Sequence, residues 1–260
     1  MSSYARRMPQ GPGKSKQPPP SRLDELDESE VEGAEDMLLE ALDALYELAE
    51  EDPEEALEML DNLPPEVRQH REFQIAEAAV EKALGRLDAV VAKLKKLLED
   101  EPDDPDLHYL LADALEDAGA DEEAQRHYDK TWLLDVEASV PLPEEVDQAI
   151  ERAALRAIEE LPEQFRAPLK GVPVFLAERP TREEVANGFD PRALGQFEGS
   201  GIEAPDGAVE PPSRIVLYTQ NLASEFEGEE LEAQVELTVL HELGHYFGLD
   251  EDDMVRLGLD

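Results

Sequence analysis

Apolar and small residues recur at helical spacing between about residues 37 and 138, and the pattern repeats every 34 residues. The columns that this shift aligns are Ala44, Ala78 and Ala112, then Ala56, Val90 and Ala124, then Leu60, Leu94 and Tyr128, and finally Leu63, Leu97 and Thr131. A period of this length, with small residues where two helices approach each other, is typical of stacked helical hairpins. We therefore predict hairpins over residues 37–70, 71–104 and 105–138.

These repeats resemble the tetratricopeptide repeat family. The last hairpin carries the clearest match, with the expected residue types at Tyr109, Leu111, Ala112, Gly119, Ala124 and Tyr128. The second hairpin ends on the expected Pro102. The first departs from the pattern, as terminal repeats that cap an array commonly do. The resemblance implies an array that binds extended peptides in a groove, and an ordinary helical bundle with chance periodicity is the alternative.

The pattern changes after Pro141 and Pro143, where shorter elements of mixed type follow. The predicted elements are a helix over 144–160, a strand over 172–177, a loop over 187–212, a strand over 214–218 and a helix over 229–247. A proline near the start of the first strand favours an edge position, and Gly248 supplies the usual residue that ends a helix. This mixture predicts a small α+β domain over residues 143–260.

The first 36 residues lack a pattern that could form a core. They contain Gly-Pro-Gly and Pro-Pro-Pro segments followed by an acidic run, so we predict a disordered tail over residues 1–36. No apolar stretch resembles a secretory signal, and no window of about 18 apolar residues is long enough to cross a membrane. These features predict a cytoplasmic protein with no membrane role.

The chain is strongly acidic, with 65 Asp and Glu against 23 Lys and Arg and a formal net charge of −42. Such a surface repels phosphate backbones and anionic lipids, which disfavours binding to nucleic acid or membranes. It suits a basic protein partner, for which the acidic repeats are the candidate site. The chain has no cysteine, which excludes disulfides, thiolate zinc sites and cysteine nucleophiles.

The last predicted helix carries His241-Glu242-Leu243-Gly244-His245, an H-E-x-x-H motif. A spacing of four residues puts both imidazoles on one helical face, close enough to bind one Zn²⁺ ion per chain. Glu242 is well placed to take a proton from a water at the metal and pass it to a leaving amine. The alternative is a helix with two solvated or core histidines.

A third ligand is expected after Gly248, because catalytic zinc usually has three protein ligands and one open position. Glu251 occupies the tenth position after His241, where extended forms of the motif place this ligand. Asp250 and Asp252 are alternatives that need only a small backbone adjustment.

The carboxy-terminal part resembles the minimal-zincin family of small metallopeptidases. The matching segments are Arg214-Ile-Val-Leu-Tyr218, His241-Glu-Leu-Gly-His-Tyr-Phe-Gly-Leu-Asp250, Leu257-Gly258 and, upstream, Gly195-Gln-Phe-Glu-Gly199. The resemblance implies one zinc held by the two histidines and a carboxylate, with Glu242 as the base. The family's third ligand is typically Asp, whereas this chain has Glu251. We interpret Met254 as a packing residue.

The predicted fold is an α-helical tetratricopeptide-like repeat array followed by a small α+β zincin-like domain. The predicted function is a zinc-dependent metallopeptidase, with repeats that recruit a peptide or protein substrate or a partner. The alternative is a non-catalytic adaptor, in which the repeats bind partners and the zincin-like domain holds metal structurally or is vestigial. An intact Glu242 favours the enzyme, because a purely structural site has no use for a base beside the metal.

Overall fold

The computed structural model describes residues 28–167, 169, 172–199 and 214–257. The chain divides into two compact units, one ending at His127 and the other beginning at Tyr128. We call them the repeat unit and the sheet unit. Residues 1–27 of the predicted tail lie outside the described residues. Its remainder, from Glu28 onward, forms the start of the first helix.

The repeat unit is built from helices alone among its described residues. They are α1 (Glu28–Glu51), α2 (Pro53–Asn62), α3 (Pro65–Arg68), α4 (Arg71–Ala83), α5 (Leu87–Asp100), α6 (Pro105–Asp117) and the first turns of α7 (Asp121–Ala138). Helices α2 and α6 begin with proline after an aspartate cap, and Asp104 accepts hydrogen bonds from the amides of Asp106 and Leu107. Proline suits the first position of a helix because it has no amide proton that would need a partner. The capping carboxylate accepts hydrogen bonds from the amides of the first turn.

The helix pairs α1–α2, α4–α5 and α6–α7 occupy the predicted hairpins, which confirms the predicted helical array. Residues of the aligned columns form its interior, and Ala56, Leu60, Val90, Leu94 and Ala112 are all buried. The small side chains let paired helices approach, and the larger ones fill the seams between pairs.

The turn between α6 and α7 shows why a glycine recurs between paired helices. Gly119 has a φ of 72°, which L-residues with a side chain rarely adopt. Its amide donates to the Glu116 carbonyl, and the next amide, from Ala120, donates to the Leu115 carbonyl. These bonds satisfy the last carbonyls of α6 and reverse the chain toward α7.

The sheet unit contains the last turns of α7 and the remaining elements of the chain. They are α8 (Glu144–Glu160), α9 (Glu163–Arg166), β1 (Val174–Ala177), α10 (Arg182–Ala186), β2 (Gly195–Glu198), β3 (Arg214–Tyr218), α11 (Thr219–Glu225), α12 (Gly228–Tyr246) and α13 (Glu251–Leu257). The strand order is β1-β3-β2, with β1 parallel and β2 antiparallel to β3. The small α+β arrangement predicted from the sequence is therefore confirmed.

Strand β2 lies inside the stretch predicted as a loop over 187–212, and that part of the prediction is wrong. The segment Gly195-Gln-Phe-Glu198 has no β-branched residue and is bounded by glycine, so its sequence has weak strand signals. Pairing with β3 makes it a strand, with Gln196 opposite Val216 and Phe197 opposite Ile215. Residues 200–213 of the predicted loop lie outside the described residues.

The core of the sheet unit lies where α8 and α12 pack on one face of the sheet. Ile215 and Leu217 of β3 point into this core, together with Val235 and Val239 of α12. Helix α8 contributes alanines at the contact, which lets the two helices lie close together. This packing fixes α12 against the strands along most of its length.

The sheet unit includes residues 128–142, which precede α8. The Arg192 guanidinium makes a partly buried, bidentate ion pair with Asp135 of α7, with N···O distances of 2.9 and 3.1 Å. The Trp132 indole donates to the Pro180 carbonyl at 2.8 Å. Residues 128–142 therefore contribute polar contacts to this unit. No helix in the described part of the chain is both long and apolar enough to cross a membrane.

A histidine pair joins α6 to α7 in the repeat unit. The Nδ1 atoms of His108 and His127 lie 2.7 Å apart, and Nε2 of His108 lies 3.1 Å from the Pro102 carbonyl oxygen. A carbonyl only accepts, so Nε2 of neutral His108 carries the proton and its Nδ1 is the acceptor. His127 must then donate from Nδ1. Burial lowers the pKa of His127, and the neighbouring His108 lowers it further.

This pair predicts that acid destabilises the repeat unit. The unfolded chain titrates His127 near its ordinary pKa of about 6.5, whereas the folded form takes up the proton at lower pH. The stabilisation is thus fully present above about pH 6.5 and is lost as the pH falls through the folded pKa. We expect His127→Gln to remove this part of the pH dependence, measured by denaturant unfolding between pH 7.5 and 5. The exposed His70→Gln serves as control and should keep the wild-type profile, and an unchanged profile in His127→Gln would contradict the prediction.

Candidate metal centre

Helix α12 brings the two histidines of the motif together on one face. The Nε2 atoms of His241 and His245 lie 3.1 Å apart, and the ring centroids are 4.8 Å apart. Two nitrogens that bind one zinc at 2.0–2.1 Å in tetrahedral geometry are separated by about 3.3 Å. The observed separation therefore fits a shared ion with little movement of either ring.

Glu242 lies beside this pair and is buried, with 8 % of its surface exposed. Strand β2 packs directly against its side of the helix. A Cβ added to Gly195 would lie 2.7 Å from Cγ2 of Thr238, 3.2 Å from the Val216 carbonyl oxygen and 3.4 Å from Cγ of Glu242. A glycine at this place thus lets the edge strand contact the helix turn that carries Glu242.

The end of α12 redirects the chain so that it passes back over the motif. The Gly248 amide donates to the His245 carbonyl, and the Leu249 amide donates to the Gly244 carbonyl, both at 3.0 Å. Gly248 has a φ of 81°, the left-handed conformation that this helix ending requires. The acidic run that follows forms α13, a helix that the sequence analysis did not predict.

Of the three candidates for a third ligand, the structure describes the side chain of Asp250 alone. The Asp250 carboxylate accepts a hydrogen bond from the Asp253 amide at 2.9 Å and so caps the start of α13. Glu251 begins that helix, but its side chain and that of Asp252 lie outside the described residues. Among the side chains that are described, no three His, Asp or Glu residues form a group that could hold a metal. Glu251 as a ligand stays a prediction.

A polar contact crosses the sheet close to β2. The Tyr218 hydroxyl donates to Oε1 of Gln196 at 2.9 Å. Burial raises the pKa of Tyr218 above its ordinary value of 10.0, and the carboxylates of Glu184, Glu198 and Glu242 add to this effect. Tyr218 is therefore a neutral donor that ties β3 to the edge strand. The sequence analysis missed this contact, because alternation marks Tyr218 only as a residue of a strand.

The site has an aromatic rim at the same edge of the sheet. The Phe197 ring meets the Tyr246 ring edge-on, with centroids 5.4 Å apart, and Tyr246 in turn contacts Phe247. Phe197 comes from β2 and Tyr246 directly follows His245. These contacts connect the carboxy-terminal end of α12 to the edge strand.

Comparison with known families finds two matches along the chain. Residues 169–259 match the family model of zincin-like metallopeptidases, and residues 82–139 match that of the tetratricopeptide repeat. Both resemblances inferred from the sequence are thereby confirmed. The first match spans all three strands, α12 and α13, whereas the second spans the last predicted hairpin in full and the one before it in part. No curated protein matches the chain.

The close approach at Gly195 generates a prediction about Gly195→Ala. The added methyl group collides with Thr238, so we expect a loss of about 1–3 kcal/mol in the free energy of unfolding, the usual cost of overpacking. Thr238→Ser removes the colliding Cγ2 but keeps the hydroxyl that donates to the Gln234 carbonyl. The double variant should recover part of the loss in denaturant unfolding, and no recovery would show that the contact with Thr238 is not the cause.

Proposed function

We propose that the sheet unit is a zinc-dependent metallopeptidase that binds one zinc ion per chain. The proposed ligands are His241, His245 and Glu251, and Glu242 is the proposed general base. The observation that supports this proposal most directly is the 3.1 Å separation of the two Nε2 atoms beside a buried glutamate. A histidine pair without a base would suit a structural site equally well, whereas Glu242 adds a group that only a reaction needs.

The residues of the chain have distinct roles in the proposed hydrolysis. Zinc, when bound, would acidify the attacking water and polarise the scissile carbonyl. Glu242 accepts the proton of the attacking water on a carboxylate oxygen and then donates it to the nitrogen of the leaving amine. The packing of Gly195 against this turn of the helix restricts where the Glu242 side chain can lie. A restricted base loses less conformational freedom in the transition state.

We propose that the repeat unit recruits a substrate or a partner with basic character. Several of its cations are already paired with its own carboxylates, as in Arg71 with Asp104 and Lys93 with Glu77. These pairs leave the large excess of Asp and Glu in this part of the chain uncompensated. A basic peptide or protein surface is the complement of such a charge distribution.

Metal analysis tests the proposed ligands. We expect the purified wild type to carry about one zinc per chain, and His241→Ala or His245→Ala to lose it, because each removes one of three protein donors. Glu251→Ala should also raise the zinc dissociation constant, and by more than Asp250→Ala does. His70→Ala, a substitution of an exposed histidine in the repeat unit, is the control and should retain the metal. Full zinc occupancy in either motif variant would show that the assignment is wrong.

Activity tests the proposed base. Glu242→Gln should keep the zinc, since glutamine is nearly isosteric, but hydrolysis of a library of unstructured peptides should fall by about 10²-fold or more. The matched control is Glu236→Gln on the same helix, where the carboxylate pairs with Arg156 at the surface and should leave hydrolysis unchanged. Equal rates in Glu242→Gln and wild type would contradict the mechanism. A zinc-loaded wild type that cleaves no peptide or protein in a broad panel would favour the adaptor instead.

A further inference from the structure

The glycine inside the motif is covered by a methionine from the following helix. A Cβ added to Gly244 would lie 2.2 Å from Cε and 2.4 Å from Sδ of Met254, and 3.5 Å from Cδ1 of Leu249. Real Cβ atoms do not approach other atoms so closely, so the Met254 side chain occupies the space that any other residue at position 244 would fill. Met254 itself is fully buried.

This contact lies on the turn of α12 that carries both histidines. Gly244 directly precedes His245 and lies three residues after His241. A backbone hydrogen bond connects the same turn to the chain that follows, from the Leu249 amide to the Gly244 carbonyl. A second bond, from the Met254 amide to the Asp250 carbonyl, belongs to the start of α13. The thioether contact and these bonds together fix the position of α13 relative to the histidine pair.

We propose that Met254 is a positioning residue for the metal centre. Its side chain, seated on Gly244, holds the first turn of α13 against the helix turn that carries His241 and His245, and in this way orients the carboxylate proposed as the third ligand. This inference rests on the proposed function, in which that carboxylate belongs to Glu251. Met254 touches neither the metal nor substrate in this proposal and acts only through the backbone of α13.

Ordinary core packing gives a different expectation. Met254 would then contribute to the stability of the sheet unit, but a folded molecule without its side chain would bind zinc as the wild type does. A positioning role requires that zinc affinity falls even among folded molecules, because the ligand on α13 is no longer held in place. Residues that orient metal ligands without touching the ion commonly affect metal affinity by about 10–100-fold.

The test measures zinc affinity and stability separately in the full-length chain. Met254→Ala should raise the zinc dissociation constant, measured by competition with a chelator, by about 10-fold or more. The visible absorption spectrum of the Co²⁺-substituted variant should change as well, because that spectrum reports the ligands around the ion. Met254→Leu keeps an apolar side chain of similar volume and should restore most of the affinity.

A matched control comes from the other end of the same helix. Leu231 lies in the first turn of α12, is buried in the core of the sheet unit and precedes Gly244 by about 20 Å of helix. Leu231→Ala should lower the thermal unfolding temperature of the metal-free protein while leaving the dissociation constant and the Co²⁺ spectrum as in the wild type.

A reciprocal pair of substitutions tests the contact itself. Gly244→Ala alone should displace Met254 and weaken zinc binding. Combining it with Met254→Ala makes room for the new methyl group, so the double variant should bind zinc more tightly than Gly244→Ala alone. If Gly244→Ala does not fold, the comparison of Met254→Ala with Leu231→Ala still tests the positioning role of Met254.

The failures of the two proposals are distinguishable. A wild type that binds zinc, combined with a Met254→Ala variant of unchanged dissociation constant and Co²⁺ spectrum, would overturn the positioning role alone. A wild type that binds no zinc at all would overturn the proposed function, and this inference with it.

Discussion

The sheet unit depends on how closely its other elements can approach helix α12, and a glycine allows two of these close contacts. Gly195 lets the edge strand β2 lie against Thr238 and Glu242. Gly244 leaves room for the Met254 side chain to pack on the turn that carries the two histidines. In both cases the contact is possible because glycine has no side chain. A helix packed this tightly loses the freedom to shift or rotate, which suits a site where donor atoms must converge within a few tenths of an ångström.

The two histidine pairs of the chain show how surroundings give the same side chains different chemistry. In the repeat unit, the Nε2–H group of His108 donates a hydrogen bond to the Pro102 carbonyl, and the Nδ1 atoms of the two rings face each other between α6 and α7. Both nitrogens of His108 are therefore occupied by protein, and the pair has the character of a buried structural contact. In the sheet unit, the two Nε2 atoms meet on one face of a single helix, beside a buried carboxylate. That arrangement presents two donors to one point in space, as a metal requires.

Sequence reasoning predicted the elements whose signals are local and repeated. The alanine columns gave the helical hairpins, and the H-E-x-x-H spacing alone indicated that His241 and His245 share a face. It missed strand β2 and helix α13, which are only four and seven residues long. The four residues of β2 become a strand through their pairing with β3, and burial of Met254 supports α13. Such tertiary contacts leave no periodic pattern in a single sequence, whereas the Asp250 cap is a local signal that the sequence analysis did not use.

The capping contact also bears on which carboxylate completes the proposed site. Asp250 accepts the Asp253 amide and thereby satisfies one of the free donors at the start of α13. A metal that took the capping oxygen Oδ1 would remove a cap that contributes about 1 kcal/mol. It would also loosen the helix that Met254 holds against Gly244. Glu251 is the next residue along and has a side chain longer by one methylene group. In the proposed site, Glu251 as the third ligand would leave the Asp250 cap in place, so that helix formation and metal binding use different carboxylates.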